Sequence, residues 1–470
     1  MSSLPFAAVE IPWVMDFFHS LRPAYVPAGA LKLQTSVLTN DYANSKAALN
    51  LRLAHEQHVT VSLDVWKSSC NQAAYACDVK LADGTTALLG AQEVSNDADS
   101  AFGAAAVFMK WVMMLGSAKV GAVCTDDVGG LAAARSLLPS MPGCNHIVHY
   151  RCPMHAFALM ICSMLGYPWA RALVGTAQQL AIHFTTDKVA VDILAVEAAK
   201  LSLTVHLSPC NLSQVQSVHA CLESLLRLQT PIKQALLKYP LAGFFEASVA
   251  GVTSDERFWL QLHFLCSLLA PFAEAMARVQ SRAASLADIV VHVLQLDRLL
   301  EAAKTVSVVP ADFVARCLEV YQQRTAELDG ELCRLALLLQ PQYKLIAVLT
   351  PSLVQKARSI FRQRGGDEAA CSTLETQLES YLVQAPPFDM PITQTSAKAW
   401  WQSLAAQHAD VAELASLGIF VCDLAAHAAS VDRVSSLMGW YYTPVVSLLS
   451  TDTLAMVVAL KAHLQLNVPR

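Results

Sequence analysis

Two aspartates, Asp64 and Asp126, each follow an apolar stretch of the kind that forms a buried β-strand. The stretches read HVTVSLDVW over residues 58–66 and KVGAVCTDD over residues 119–127. In the first, valine and leucine alternate with threonine and serine, the period of a strand with one buried face. Side by side, two such strands would bring both carboxylates together as oxygen ligands for Mg²⁺, the arrangement used for phosphodiester cleavage. Asp127 is either a further ligand or the N-cap of the following helix.

The surrounding pattern predicts the elements that position these acids. Strand patterns lie at 58–65, 74–81, 85–92, 120–125 and 146–150. The turn Ala82-Asp83-Gly84 joins the second and third strands as a hairpin. Helical patterns lie at about 98–117, 131–138 and 153–165. The resulting order, βββαβαβ followed by a helix, predicts a mixed sheet with helices on its faces.

The rest of the chain shows mainly helical periodicity. Residues from about 170 to 395 contain helical stretches such as Val218–Gln234 and Phe258–Val279, and the latter carries a leucine and phenylalanine stripe expected in a core. We therefore predict an α/β fold plus an all-α insertion. The expected division is a helical lead-in (1–57), the first part of the core (58–170), an all-helical insertion (171–395) and a C-terminal return to the core (396–470).

Composition narrows the class of protein. The chain has 470 residues, of which 54% are hydrophobic and 15% charged, so several structural units with large cores are expected. Proline and charged or polar residues interrupt the apolar runs, and no signal-peptide pattern opens the chain, so no membrane span and an intracellular location are predicted. Thirteen cysteines without paired spacing fit reduced thiols. A net charge of −5 argues against strong nucleic-acid affinity.

Seven segments carry a family resemblance. They are VEIPWVMDFFHSLRPAYVPAGALKL (9–33), VSLDVWKS (61–68), TDD (125–127), RCPMHAFALMI (151–161), LLLQPQYK (337–344), AWWQSLAAQHADVAELA (399–415) and HAASVDRVSS (427–436). In this order they resemble landmarks of the hAT superfamily of DNA transposases and of the proteins descended from them. The second resembles the first-aspartate motif Asp-Gly-Trp-Thr, the third Thr-Asp-Asn, and the fourth the Arg-Cys-x-x-His signature. The last resembles the Ser-x-Glu-Arg-x-x-Ser segment.

The resemblance implies a fold, a site and partners. The fold would be a ribonuclease-H-like mixed sheet interrupted by a helical domain. Asp64, Asp126 and Asp432 would be catalytic and would bind two Mg²⁺ or Mn²⁺ ions. The resemblance assigns DNA handling to four further residues: Trp66, Cys152, His155 and Arg433. It also implies DNA as a partner, a C-terminal dimerisation region that forms a homodimer or higher homo-oligomer, and a nuclear location.

The chain departs from the family pattern at several places. Val65 replaces the glycine of the first motif, and Asp432 is one methylene shorter than the usual glutamate. Asn211 and Leu212 stand where the family commonly has an Arg-Trp pair, and no Cys/His cluster of a targeting zinc finger precedes residue 58. Two functions therefore stay open. One is metal-dependent strand cleavage and transfer, and the other is a domesticated, catalytically inactive dimeric scaffold or DNA/chromatin-associated binding protein.

Cys152 and His155 have the spacing of half a zinc site. No second Cys/His pair of suitable spacing follows, so no structural zinc is expected. The resemblance places His155 close to the active site, where it would help to handle the DNA strand. The alternative is a histidine packed at the start of a helix.

Overall fold

The computed structural model describes residues 5–67, 73–94, 101–126, 130–210, 215–238, 251, 254–279, 284–343, 349–392 and 396–428, together with 453, 456, 457, 459 and 460. The chain is a mixed α/β protein with two compact units. The first unit comprises Met1–Cys152 and Leu338–Arg470, and the second comprises Pro153–Leu337. The α/β class with a helical insertion is confirmed at this level. The division at 57, 170 and 395 stays a prediction.

The first unit begins with a helical lead-in. A 3₁₀ turn, Phe6–Glu10, precedes helix α1, Pro12–Leu21. The short α-helical turn Ala30–Lys32 and the π-helical turn Leu33–Val37 then run into helix α2, Leu38–His55. Proline suits the first position of α1 because that residue needs no amide hydrogen for the helix. No residue of α1 is buried, and its apolar residues Trp13, Phe17 and Leu21 are exposed.

A five-stranded sheet forms the centre of the first unit. Its strands are β1 Val59–Lys67, β2 Ala73–Lys80, β3 Thr86–Val94, β4 Val120–Thr125 and β5 Val148–Arg151. The strand order is β3-β2-β1-β4-β5. Strands β1 to β3 are antiparallel neighbours, while β4 runs parallel to both β1 and β5. All five predicted strands are confirmed, with ends within two residues of the predicted ones.

One face of this sheet is a hydrophobic core. Val61 and Leu63 of β1 are fully buried there, together with side chains of helices α3, Ala101–Leu115, and α4, Leu131–Leu137. The alternation of apolar residues in β1 directs every second side chain to this face. The helices supply Phe108, Val112, Leu131 and other apolar side chains to the same cluster.

The opposite face of the sheet is also buried, so the prediction of a single buried face for β1 is wrong. Thr60 and Ser62, which alternate with the core residues, are 0% and 2% exposed. Residues 423–428 cover this face, and the Thr60 hydroxyl donates to the Asp423 carbonyl across a separation of 363 residues. Local alternation holds no information about a covering segment so far along the chain.

The C-terminal part of the first unit is helical. Its helices are Pro351–Gln363, Glu368–Leu382, Ala397–Gln407 and Ala412–Asp423. Trp400 and Trp401 are fully buried between them, and the Trp401 indole donates to the Leu339 carbonyl at 2.8 Å. The last helix ends directly before the segment that covers the sheet.

The regular elements described in the second unit are all helices. Its helices are Pro153–Leu165, Pro168–Thr186, Lys188–Ala199, Val215–Arg227, Gln229–Lys238, Glu256–Val279, Leu286–Ala303, Ala311–Ala326 and Gly330–Leu338, the last of which crosses the boundary between the units. The predicted core stripe on Glu256–Val279 is confirmed, because Leu262, Leu265 and Leu269 are fully buried. Among the described residues, this is the one single helix that is long and apolar enough to cross a membrane. The bent pair Pro153–Leu165 and Pro168–Thr186 also passes this test when it is taken as one span. Helix Glu256–Val279 packs against helices Val215–Arg227 and Leu286–Ala303.

Candidate metal-binding site

The two sequence-predicted acids lie at the same edge of the sheet. Strands β1 and β4 are parallel, and the last pair of residues aligned between them is Leu63 and Thr125. Asp64 directly follows Leu63 in the chain, and Asp126 directly follows Thr125. Neighbouring strands are about 4.8 Å apart, so the two backbones pass this edge at about that separation. Strands β1 and β4 therefore lie side by side, which is the condition under which the sequence pattern brings the two acids together.

Both carboxylates belong to the face opposite the hydrophobic core. Leu63 faces that core. Because successive side chains alternate between faces, the next residue in β1, Asp64, faces the other way. Asp126 is the first residue after β4, and the same alternation directs its side chain to the face of Asp64. The two side chains are 8% and 4% exposed, which excludes a solvent-facing strand end for either.

Local hydrogen bonds hold the backbone at this edge. The Asp64 carboxylate accepts from the Val65 amide at 2.9 Å. The Thr125 hydroxyl donates to the Asp126 carbonyl at 2.9 Å, and the Thr125 carbonyl accepts from the Cys152 amide at 2.7 Å. The end of β4 is thus tied both to its own side chain and to β5.

The face that carries the two acids is lined by polar side chains from four strands. This polar face comprises Thr60, Ser62, Asp64, Asp78, Lys80, Cys124, Asp126, Tyr150 and Cys152. Each of them is less than 9% exposed. A buried polar group is stable only where hydrogen bonds replace those it loses to water. The polar face therefore depends on the segment that covers it.

That segment, residues 423–428, is called here the C-terminal strap. Its backbone carbonyls at Asp423, Leu424 and Ala425 accept from the side chains of Thr60 at 3.2 Å, Lys80 at 2.9 Å and Tyr150 at 2.8 Å, respectively. Farther along, the Ala428 amide donates to the Cys152 thiol sulfur at 3.3 Å. The strap thus runs to the end of β5, where the Cys152 amide reaches the last residue of β4.

Burial shifts the pKa values of ionisable groups on the polar face and in the strap. It raises the pKa of the Tyr150 phenol and that of the Cys124 thiol well above their ordinary values. Both groups therefore act at neutral pH as uncharged hydrogen-bonding groups. At the start of the strap, burial also raises the pKa of the Asp423 carboxyl, while the Lys398 ammonium at 2.5 Å opposes that shift.

The other sequence-predicted residues lie in different places. Trp66 lies in β1 and pairs with Ala74 of β2. The Cys152 thiol faces the strap on the polar face. His155 is partly buried in the first turn of helix Pro153–Leu165, within the second unit.

Several residues named from the sequence lie outside the described part of the chain. They are Asp127, Asn211, Leu212, Asp432 and Arg433. Within the described part, no group of three or more His, Cys, Asp or Glu side chains is arranged to hold a metal ion. The described part of the candidate site is therefore the pair Asp64 and Asp126.

Two features of this site were missed from the sequence. One is the strap, whose contacts lie hundreds of residues away in sequence. The other is Arg135 of α4, which donates to the Thr125 hydroxyl at 2.6 Å and to the Asp126 carbonyl at 3.1 Å. The only hint of Arg135 in the sequence is that an arginine lies in the first helix after the strand-end acid Asp126. No protein-family model matches the chain, and no curated protein matches it.

Proposed function

We propose that this chain is a transposase-derived protein of the hAT type, whose ribonuclease-H-like core binds divalent metal ions for cleavage and transfer of DNA strands. The observation that carries the proposal is the position of Asp64 and Asp126 at one edge and on one face of two adjacent parallel strands. The strand order, with three antiparallel strands followed by two parallel ones, supports the ribonuclease-H-like assignment.

The donor set fits Mg²⁺ or Mn²⁺. Two carboxylates supply hard oxygen ligands, which Mg²⁺ prefers, and they come from rigid strand ends. Held by these carboxylates, such ions would supply activation of the attacking oxygen and stabilisation of the leaving one. The residues of this chain hold the carboxylates in place, and the strap excludes water from the remainder of the polar face.

We assign the third ligand to Asp432, which lies outside the described residues. The assignment rests on the resemblance of the segment HAASVDRVSS (427–436) to the family segment that carries the third catalytic acid.

A second candidate function is a domesticated scaffold that keeps the fold, forms a homodimer and no longer cuts DNA. The sequence favours it at two places. Asn211 and Leu212 lack both the charge and the stacking ring of the family's Arg-Trp pair. The shorter side chain of Asp432 also sets its carboxylate back, and a displacement of order 1 Å can reduce a rate about a hundredfold.

Strand cleavage separates the two functions. The assay incubates the full chain with supercoiled plasmid and Mn²⁺, and compares it with Asp64→Asn and Asp126→Asn. Asp288→Asn is the control, because Asp288 is also buried but caps helix Leu286–Ala303 in the second unit. Nicking by the wild type and the control, but by neither strand-end variant, supports the enzyme. No nicking by the wild type favours the scaffold.

The proposed partners are DNA and a second copy of the chain, and the proposed location is the nucleus. A phosphate contact must weaken as salt rises, because bound counterions are released. DNA affinity measured between about 50 and 200 mM salt should therefore fall steeply. Light scattering after size exclusion should give the mass of a dimer or a larger homo-oligomer. Salt-independent binding argues against a DNA role, and a monomer mass against the oligomer.

A further inference from the structure

Arg135 connects helix α4 to the end of strand β4. It is partly buried in the middle of α4. Its Nη1 donates to the Thr125 hydroxyl at 2.6 Å, to the Asp126 carbonyl at 3.1 Å and to the Thr125 carbonyl at 3.5 Å. One guanidinium nitrogen therefore contacts both peptide oxygens around the residue that carries the candidate ligand.

These contacts fix the orientation of the peptide at Asp126. The chain leaves the sheet after Thr125, and the Asp126 carbonyl accepts from Arg135 and from the Thr125 hydroxyl. Both donors belong to the core face, because Thr125 is in register with Leu63. Holding the carbonyl toward that face leaves the Asp126 side chain directed to the polar face.

We propose that Arg135 is a positioning residue for Asp126, an inference that rests on the proposed metal site. It acts through the backbone and through Thr125. Removing a group that hydrogen-bonds a metal ligand and fixes its orientation typically weakens metal binding about 10- to 100-fold. A charged donor with several acceptors also resists rotation better than a single neutral hydrogen bond.

The chain offers a matched control in Arg52 of α2. Its guanidinium also donates to a threonine hydroxyl, that of Thr85, at 2.9 Å, and to the Asp83 carboxylate at 2.8 Å. These partners lie in the turn between β2 and β3, at the other end of the sheet from Asp64. Arg52→Gln therefore removes a comparable contact from the same unit without touching the candidate site.

The test measures Mn²⁺ affinity by calorimetry and thermal stability for wild type, Arg135→Gln, Arg135→Lys, Thr125→Val and Arg52→Gln. We expect Arg135→Gln to weaken Mn²⁺ binding about 10- to 100-fold, with Arg135→Lys and Thr125→Val between it and wild type. Arg52→Gln should bind Mn²⁺ like wild type and lose less thermal stability than Arg135→Gln, because the Arg52 ion pair is exposed.

Wild-type Mn²⁺ affinity in Arg135→Gln overturns the positioning role and leaves the metal site intact. Equal weakening in Arg52→Gln also overturns it, because the effect would then be general destabilisation. If the wild type itself shows no Mn²⁺ binding that depends on Asp64, the proposed function fails, and the positioning role fails with it.

Discussion

Tyr150→Phe provides a direct test of the strap, because it removes one hydroxyl and leaves the ring. That hydroxyl donates to the Ala425 carbonyl at 2.8 Å, and both residues are almost fully buried, at 3% and 2% exposed. Phenylalanine fills the same space, so no cavity forms. The Ala425 carbonyl then loses this buried donor, which typically costs about 1–3 kcal/mol.

The loss should be concentrated in the strap. A free energy of about 1–3 kcal/mol corresponds to a change of about 5- to 150-fold in a local equilibrium, since each 1.4 kcal/mol is a factor of ten. We therefore expect amide hydrogen exchange in residues 423–428, and at the Ala428 amide in particular, to accelerate by that factor. Mn²⁺ affinity should fall as well, because the strap runs to the edge that carries the two acids.

Tyr381→Phe is the matched control. Its hydroxyl also donates to a backbone carbonyl, that of Leu338 at 3.0 Å, and the residue is fully buried in the same unit. It should lose similar global stability and leave exchange in the strap unchanged. Unchanged strap exchange in Tyr150→Phe, or equal acceleration in both variants, would refute the role given to the strap.

Two further predictions concern packing and pH. Gly90→Ala would place a methyl group 2.4 Å from the ring of Trp111 and should cost about 1–3 kcal/mol in a urea titration. Gly175 lies on a helix where an added methyl group meets nothing within 4 Å, so Gly175→Ala should raise the unfolding free energy by up to about 1 kcal/mol. A Gly90→Ala variant more stable than Gly175→Ala would contradict the packing. The pKa of His219 is lowered, chiefly by burial, so unfolding free energy should fall as pH drops below about 6.5. His219→Gln should reduce that slope in pH-dependent denaturation, and an unchanged slope contradicts the assignment.

The strands were predictable because their signal is local. Alternating apolar residues and the Ala82-Asp83-Gly84 turn determine where the first three strands begin and end. The proximity of Asp64 and Asp126 then follows once β1 and β4 are neighbours. Burial of the polar face was not predictable from alternation, because Thr60 and Ser62 are covered by a segment more than 360 residues away.

Helix boundaries show where a local signal was available and missed. The sequence pattern predicted one helix over Val218–Gln234, but the structure has Val215–Arg227 and Gln229–Lys238 with a break at Leu228. Pro231 explains the break, because proline lacks the amide hydrogen that an interior helix residue donates and is best accommodated in the first turn, where that bond is not needed. A second helix that starts at Gln229 places Pro231 in that turn.

Arg135 could not be identified by spacing alone. Its role depends on the return of α4 to the end of β4, which is a tertiary contact. Asp432 lies outside the described residues, so the third ligand assigned from the sequence stays a prediction. The pair of strand-end acids is the part of the site that the sequence pattern and the fold support together.

The most direct test of the central claim is the position of Mn²⁺ in crystals of the full chain, located by anomalous scattering. We predict a metal ion bound by both the Asp64 and the Asp126 carboxylates, with metal–oxygen distances of about 2.1 Å. The ion should be absent from crystals of Asp64→Asn. No anomalous peak between these two residues at millimolar Mn²⁺, or an ion bound without either carboxylate, would contradict the account.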